Sequence, residues 1–209
     1  MRRHVWLWGT FASAAVAYLL FMGPTLVLLP FMVKHVLGGS GLQLGIVLGA
    51  GGLGAVACAV AMGRSELPSQ GIAFVYAVWA LATLAVAVYG LATAIWELML
   101  ASLAFNFFET AGTIVWATMK QRHIPGNLLG RVSSLDWLIS IGLLPVSLAL
   151  TGPVAAALGV RTTLLAAGLI GAVATLGGLM LPGIRDIDNA PTARPQVGDG
   201  VLAQAPPAH

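Results

Sequence analysis

Residues Val5 to Val33 read VWLWGTFASAAVAYLLFMGPTLVLLPFMV, a run without Asp, Glu, Lys, Arg or His. A helix crossing the hydrocarbon core of a bilayer needs about 20 apolar residues at 1.5 Å rise each. Lipid supplies no hydrogen bonds to a bare backbone, so such a run must close its own bonds as a helix. The pattern repeats outward along the chain. Val36 to Gly63, Leu67 to Trp96, Trp137 to Val160 and Thr162 to Ile184 also lack charged residues and histidine, and Leu98 to Met119 is interrupted only by Glu109. Six runs predict six transmembrane helices, at 5–30, 42–63, 71–91, 95–119, 134–157 and 162–182.

Composition agrees. The chain is 58% hydrophobic and 8% charged, where a soluble domain carries about 25% charged residues. Its net charge of +3 is arranged for topology. With a cytoplasmic N-terminus, Arg2, Arg3, Arg64, Lys120, Arg122, Arg131, Arg185 and Arg194 all lie inside, and only Lys34 and Arg161 outside. That asymmetry follows the positive-inside rule and predicts both termini in the cytoplasm. It leaves no basic patch for nucleic acid. The apolar run after Met1-Arg2-Arg3-His4 is too long for a signal peptide, whose core spans about 7–15 residues. After residue 183 the composition turns to Asp, Asn, Pro, Gly and Gln, so 1–183 reads as the membrane bundle and 184–209 as a disordered cytoplasmic tail.

Trp6, Trp8, Trp96 and Trp137 fall near predicted span ends, as interfacial indoles do. Small residues recur at helical steps in two spans: Gly45, Gly49, Gly52, Ala55, Ala59 and Gly63 in the second, Gly168, Gly171 and Gly178 in the sixth. In lipid, helices associate by close packing, so both stripes read as packing seams. Pro24 and Pro30 in the first span, and Pro145 and Pro153 in the fifth, mark bends, because proline removes a donor and clashes with the preceding turn.

The fourth span carries the sharpest polar pattern. Ser102, Asn106, Glu109 and Thr113 follow at steps of four, three and four, which places them on one helical face. Glu109 lies near the middle of the bilayer, where a lipid-facing carboxylate costs at least about 2.5 kcal/mol. The face must look inward. Glu109 then serves as proton carrier or counter-charge to a cationic substrate; the alternative is a protonated structural carboxyl bonded to Asn106 or another span. In the fifth span, Ser133-Ser134-Leu135-Asp136 reads as an N-terminal capping arrangement. Asp136 is also near Arg131, and that pair would form a cytoplasmic gate latch.

Enzymatic readings fail. Gly38-Gly39-Ser40-Gly41 has the form of an intramembrane serine-protease motif, but no span offers the histidine base that chemistry needs. No phosphate-binding loop precedes either lysine. Cys58, the single cysteine, excludes an intrachain disulfide and sites built on paired cysteines. No metal or cofactor is expected.

The stretch from Gln121 to Asp136, QRHIPGNLLGRVSSLD, continues into Leu144-Pro145 and Leu150-Thr151-Gly152-Pro153. It resembles the loop before span eleven, and span eleven itself, of major facilitator superfamily exporters in the bacterial siderophore, macrolide and multidrug branch. Trp8-Gly9, Gly23-Pro24 and Leu29-Pro30 are similar to span seven of that branch, and Gly45 to Gly54 to span eight. The resemblance covers residues 5–182. It implies an all-α fold of six helices equivalent to the C-terminal half of such a transporter, a 3+3 inverted repeat. It further implies alternating-access, proton-coupled efflux of a small hydrophobic compound from the bacterial inner (plasma) membrane. Glu109, with Asn106, Ser102 and Thr113, would couple protons or hold substrate; Arg131 and Asp136 would gate the cytoplasmic side. Pro24, Pro145, Gly152 and Pro153 would be bending points. The expected partners are the bilayer, a small-molecule substrate and a second six-span half, whether a separate chain or a missing N-terminal segment. A non-transporting scaffold or regulatory subunit is the rival reading.

Overall fold

A computed structural model describes residues 5–64, 68 and 70–180, without the side chains of 5–8, 140 and 141. The expected tail at 184–209, Arg2 and Arg3, and the Trp6 and Trp8 side chains therefore lie outside the described residues. Helix α1 spans Val5–Phe31 and passes into a π-helical turn, Met32–Val36. It is followed by α2 (Gly41–Gly63), α3 (Gly71–Leu91), α4 (Ile95–His123), α5 (Gly126–Gly142), α6 (Leu144–Leu158) and α7 (Val160–Gly178). There is no strand among the described residues. With α5 and α6 together forming one crossing, six segments are long and apolar enough to span a bilayer. The protein is an all-α, six-span membrane protein.

Local chemistry sets the boundaries. The π-turn ends in Leu37 N–H bonding to Met32 C=O at 2.9 Å and Gly39 N–H to Val33 C=O at 2.7 Å. Gly38, at φ +66°, supplies the left-handed residue this exit needs. Ser40, dismissed above as a nucleophile, is the N-cap of α2: its hydroxyl accepts from Gln43 N–H and Gln43 Oε1 accepts from Ser40 N–H, a capping box. Glu97 is likewise structural, its carboxylate accepting from the amides of Thr93 and Ala94 at the start of α4.

The fifth crossing departs from expectation. Residues 126–133, taken above as loop, are the first turns of α5. Ser133 therefore caps nothing, and Ser134 donates back to Gly130 C=O at 2.9 Å. The crossing is interrupted at Leu143, and Pro145 opens α6 within its first two positions, where its missing N–H breaks no helical bond. The bend expected at Pro145 is there as a break between helices.

Packing follows a chain, α2–α4–α3–α7–α1–α6, with α3 the most enclosed and α2, α5 and α6 the most exposed. Because lipid tails are as apolar as leucine, these contacts rest on close van der Waals fit rather than on water exclusion. The α7 seam is as expected: a Cβ at Gly168 would run into the Ala87 backbone, and one at Gly178 into Ser13 and Tyr76. The α2 seam is not. Gly45, Gly49, Gly52 and Gly63 have no atom within 4 Å of where a Cβ would stand. It is Val47, Ala50, Gly51, Gly54 and Cys58 that are buried, with Gly54 against the Leu103 backbone of α4. The more regular glycine stripe lies on the open face.

Candidate functional site

One straight polar face of α4 meets two different surroundings. In its N-terminal half, Ser102 is 2% exposed, and both Ser102 and Asn106 pack against Gly51 of α2. Asn106 Nδ2 also donates to Ser102 C=O at 2.9 Å. Both side chains thus stand against α2.

Toward the C-terminal half of α4 the same face opens onto a cavity of about 480 Å³ between α1, α3, α4 and the α5–α6 crossing. Glu109, Thr113, Trp116 and Lys120 line it from α4, Tyr18 and Met22 from α1, Trp79 from α3, and Asp136 and Trp137 from α5. Thr113 Oγ1 donates to Glu109 Oε1 at 3.2 Å. Among the described residues Glu109 has no ion-pair partner. A smaller chamber of about 30 Å³ adjoins it, bounded by Glu109, Tyr18, Tyr76, Thr83 and Thr175 among others. That volume suffices for one or two waters. Beside it, the Trp79 indole N–H is buried without a hydrogen-bond partner.

Near the C-terminal end of α4 the cavity is lined by a charge pair that the sequence reading missed. Lys120 Nζ lies 2.5 Å from Asp136 Oδ2, with the two side chains 11% and 17% exposed. Trp116 Nε1 donates to the same carboxylate at 3.1 Å, and the Lys120 ammonium sits 5.6 Å from the Trp116 ring centroid, within cation–π range. The Trp116 ring stacks in turn on its neighbours, edge-on to Phe11 and tilted to Trp79, each with centroids 6.3 Å apart. Arg131 is exposed and takes no part. The expected Arg131–Asp136 pair is replaced by Lys120–Asp136, because both members of the expected pair lie on α5 five residues apart. At 100° per residue they point about 140° away from each other. The signal for Lys120 and Trp116 was in the stripe itself, which continues past Thr113 at steps of three and four.

The bending residues divide. Pro24 and Pro153 lie inside α1 and α6, and Pro145 begins α6. Gly152 is exposed on α6, with open space where a side chain would stand. No metal-binding group of three or more His, Cys, Asp or Glu occurs among the described residues.

Comparison of the chain with protein-family models, with curated proteins and with solved structures finds no match.

Proposed function

We propose that this protein is one six-helix half of a transporter of major facilitator type, exporting a small hydrophobic compound in exchange for protons from a bacterial inner membrane, with both termini cytoplasmic. The observation that carries the reading is Glu109. It is a membrane-embedded acid without a cationic partner, on the wall of a cavity whose other walls are Tyr18, Trp79, Trp116 and Trp137. An intramembrane carboxylate is costly, and proton relay and substrate counter-charge are tasks such residues perform. The cavity's volume lies in the ordinary range for small-molecule sites, and its mostly apolar lining with a few polar anchors fits a hydrophobic ligand.

The burial pattern supports a missing second half. The α5–α6 crossing and α2 are the least buried spans, and a second bundle packed on them would cover those faces. In an alternating-access cycle the Lys120–Asp136 pair would hold the inner end shut. Protonation of Glu109 biases the cycle only by binding more strongly in one state than in the other.

The test is proton-coupled export in inverted vesicles containing the chain and its partner half, followed by dye-reported collapse of a pH gradient on adding hydrophobic compounds. Glu109→Gln is expected to abolish that response at unchanged expression. An undiminished response removes Glu109 from the mechanism. A scaffold role is the second reading, favoured by the use of Ser102 and Asn106 in helix packing. It predicts partner association that Glu109→Gln leaves intact, with no compound-dependent proton flux in either form.

A further inference from the structure

Two helices, α1 and α6, meet at one hydroxyl. In an unbroken α1 the Gly23 N–H would bond to the Leu19 C=O, four residues back. Ser147 of α6 reaches both of these groups. Its hydroxyl donates to Leu19 C=O at 2.7 Å and accepts from Gly23 N–H at 2.8 Å. Ser147 is 2% exposed, so both bonds are made away from solvent.

The sequence prepares this point on both sides. Pro24 has no N–H to give Leu20 C=O, and its ring presses on that turn, which opens the ladder where the hydroxyl enters. Gly23 has no side chain, and a Cβ there would collide with Ser147 C=O and Thr151 Oγ1. On α6, Ser147 follows the break before Pro145, and Thr151 Oγ1 secures the next turn by donating to Ser147 C=O at 2.7 Å.

We propose that Ser147 is a positioning residue: its hydroxyl is the exchangeable member of a two-state hinge between α1 and α6. In the inserted state it makes the two bonds seen here. In the withdrawn state Gly23 N–H bonds directly to Leu19 C=O, and the hydroxyl turns back to Leu143 C=O on its own helix. Leu143 C=O already accepts Ser147 N–H at 3.0 Å, and a carbonyl has two lone pairs. Each state makes two hydrogen bonds from these donors and leaves neither donor bare to lipid. Serine donating four residues back is a common helical arrangement, and Thr151 already shows it one turn along. The exchange therefore moves α1 without stranding a polar group, which a membrane interior penalises heavily.

The hinge sits in a wall. Tyr18 and Met22 face the Glu109 cavity, while Leu19, Leu20 and Pro24 face a separate apolar groove of about 270 Å³ that Ser147 also lines. Movement of α1 here shifts the partition between the two.

The experiment is a spin-label distance measurement on the full chain in lipid nanodiscs, with Cys58 replaced by alanine. Labels go on Leu26 and Leu158, which are 52% and 56% exposed. Wild type is expected to give two distances. Ser147→Ala removes the inserted state and is expected to give one, a shift of at least about tenfold in the population ratio, with Ser147→Thr restoring the second. Superposable distributions for wild type and Ser147→Ala overturn the proposal. Should Ser147→Ala not fold, the wild-type chain decides: one narrow distance in both thin and thick bilayers overturns it, and two distances sustain it.

Discussion

Asp136 pairs with Lys120, sixteen residues before it, and not with Arg131, only five before it. Lys120 reaches it across the α4–α5 junction from the cavity face of α4, whereas Arg131 leaves the same helix as Asp136 on another side. Removing one member of a buried pair strands the other and costs about 3–5 kcal/mol; replacing both with apolar residues of similar volume is often neutral. Both side chains keep some solvent contact, so the lower end applies. Asp136→Asn or Lys120→Met alone should destabilise the protein by about 3 kcal/mol, read as a lower unfolding midpoint in detergent. The double variant Lys120→Met, Asp136→Leu should recover most of that loss. Two additive losses would show the pair is not coupled. Cys58 offers an independent check on the same scale. It is 0% exposed and packs with Val78 and Ala111, so maleimide should label it only after unfolding. Rapid labelling of the native protein would mean α2 does not lie on α4 as described.

At the scale of the element, α2 separates pattern from packing. Its most periodic glycines face outward, and its contact with α4 runs through Gly51 and Gly54. Gly54→Leu forces a side chain into the Leu103 backbone, which cannot rotate aside. Overpacking of this kind costs about 1–3 kcal/mol or more, and the thermal midpoint should fall accordingly. Gly49→Leu points into open space and should leave the isolated chain's midpoint unchanged. Equal effects of the two substitutions would reverse the assignment of faces. The fifth crossing teaches the complementary point. Gly126-Asn127 and the glycine at 130 look like loop residues, yet their segment is helical as the first two turns of α5, which closes the cavity by bringing Asp136 to Lys120.

At the scale of the whole molecule, α2 and the α5–α6 crossing are the least buried spans. If a second six-helix unit covers α2, a cysteine at Leu53, 68% exposed on α2, should crosslink to that unit in native membranes. Gly49→Leu should weaken the crosslink through the same face while leaving the chain's own stability intact. A Leu53→Cys chain that exports its substrate yet stays uncrosslinked would place the partner elsewhere or remove it.

The six crossings needed nothing beyond the sequence. Charge-free runs of sufficient length must become helices in lipid, since no other conformation of a single segment closes its own hydrogen bonds. The inward turn of Glu109 followed from the same physics, and the α4 stripe was legible from its three- and four-residue steps. Tertiary structure decided what those residues meet. Helical periodicity fixes a side chain's direction around its own axis, but the neighbour in that direction depends on where other helices cross. That is why one face of α4 is packing at Ser102 and Asn106 but cavity at Glu109 and Thr113. It is also why Asp136 found Lys120, why the glycine stripe of α2 faces outward, and why Ser147 entered the ladder of a helix more than a hundred residues away.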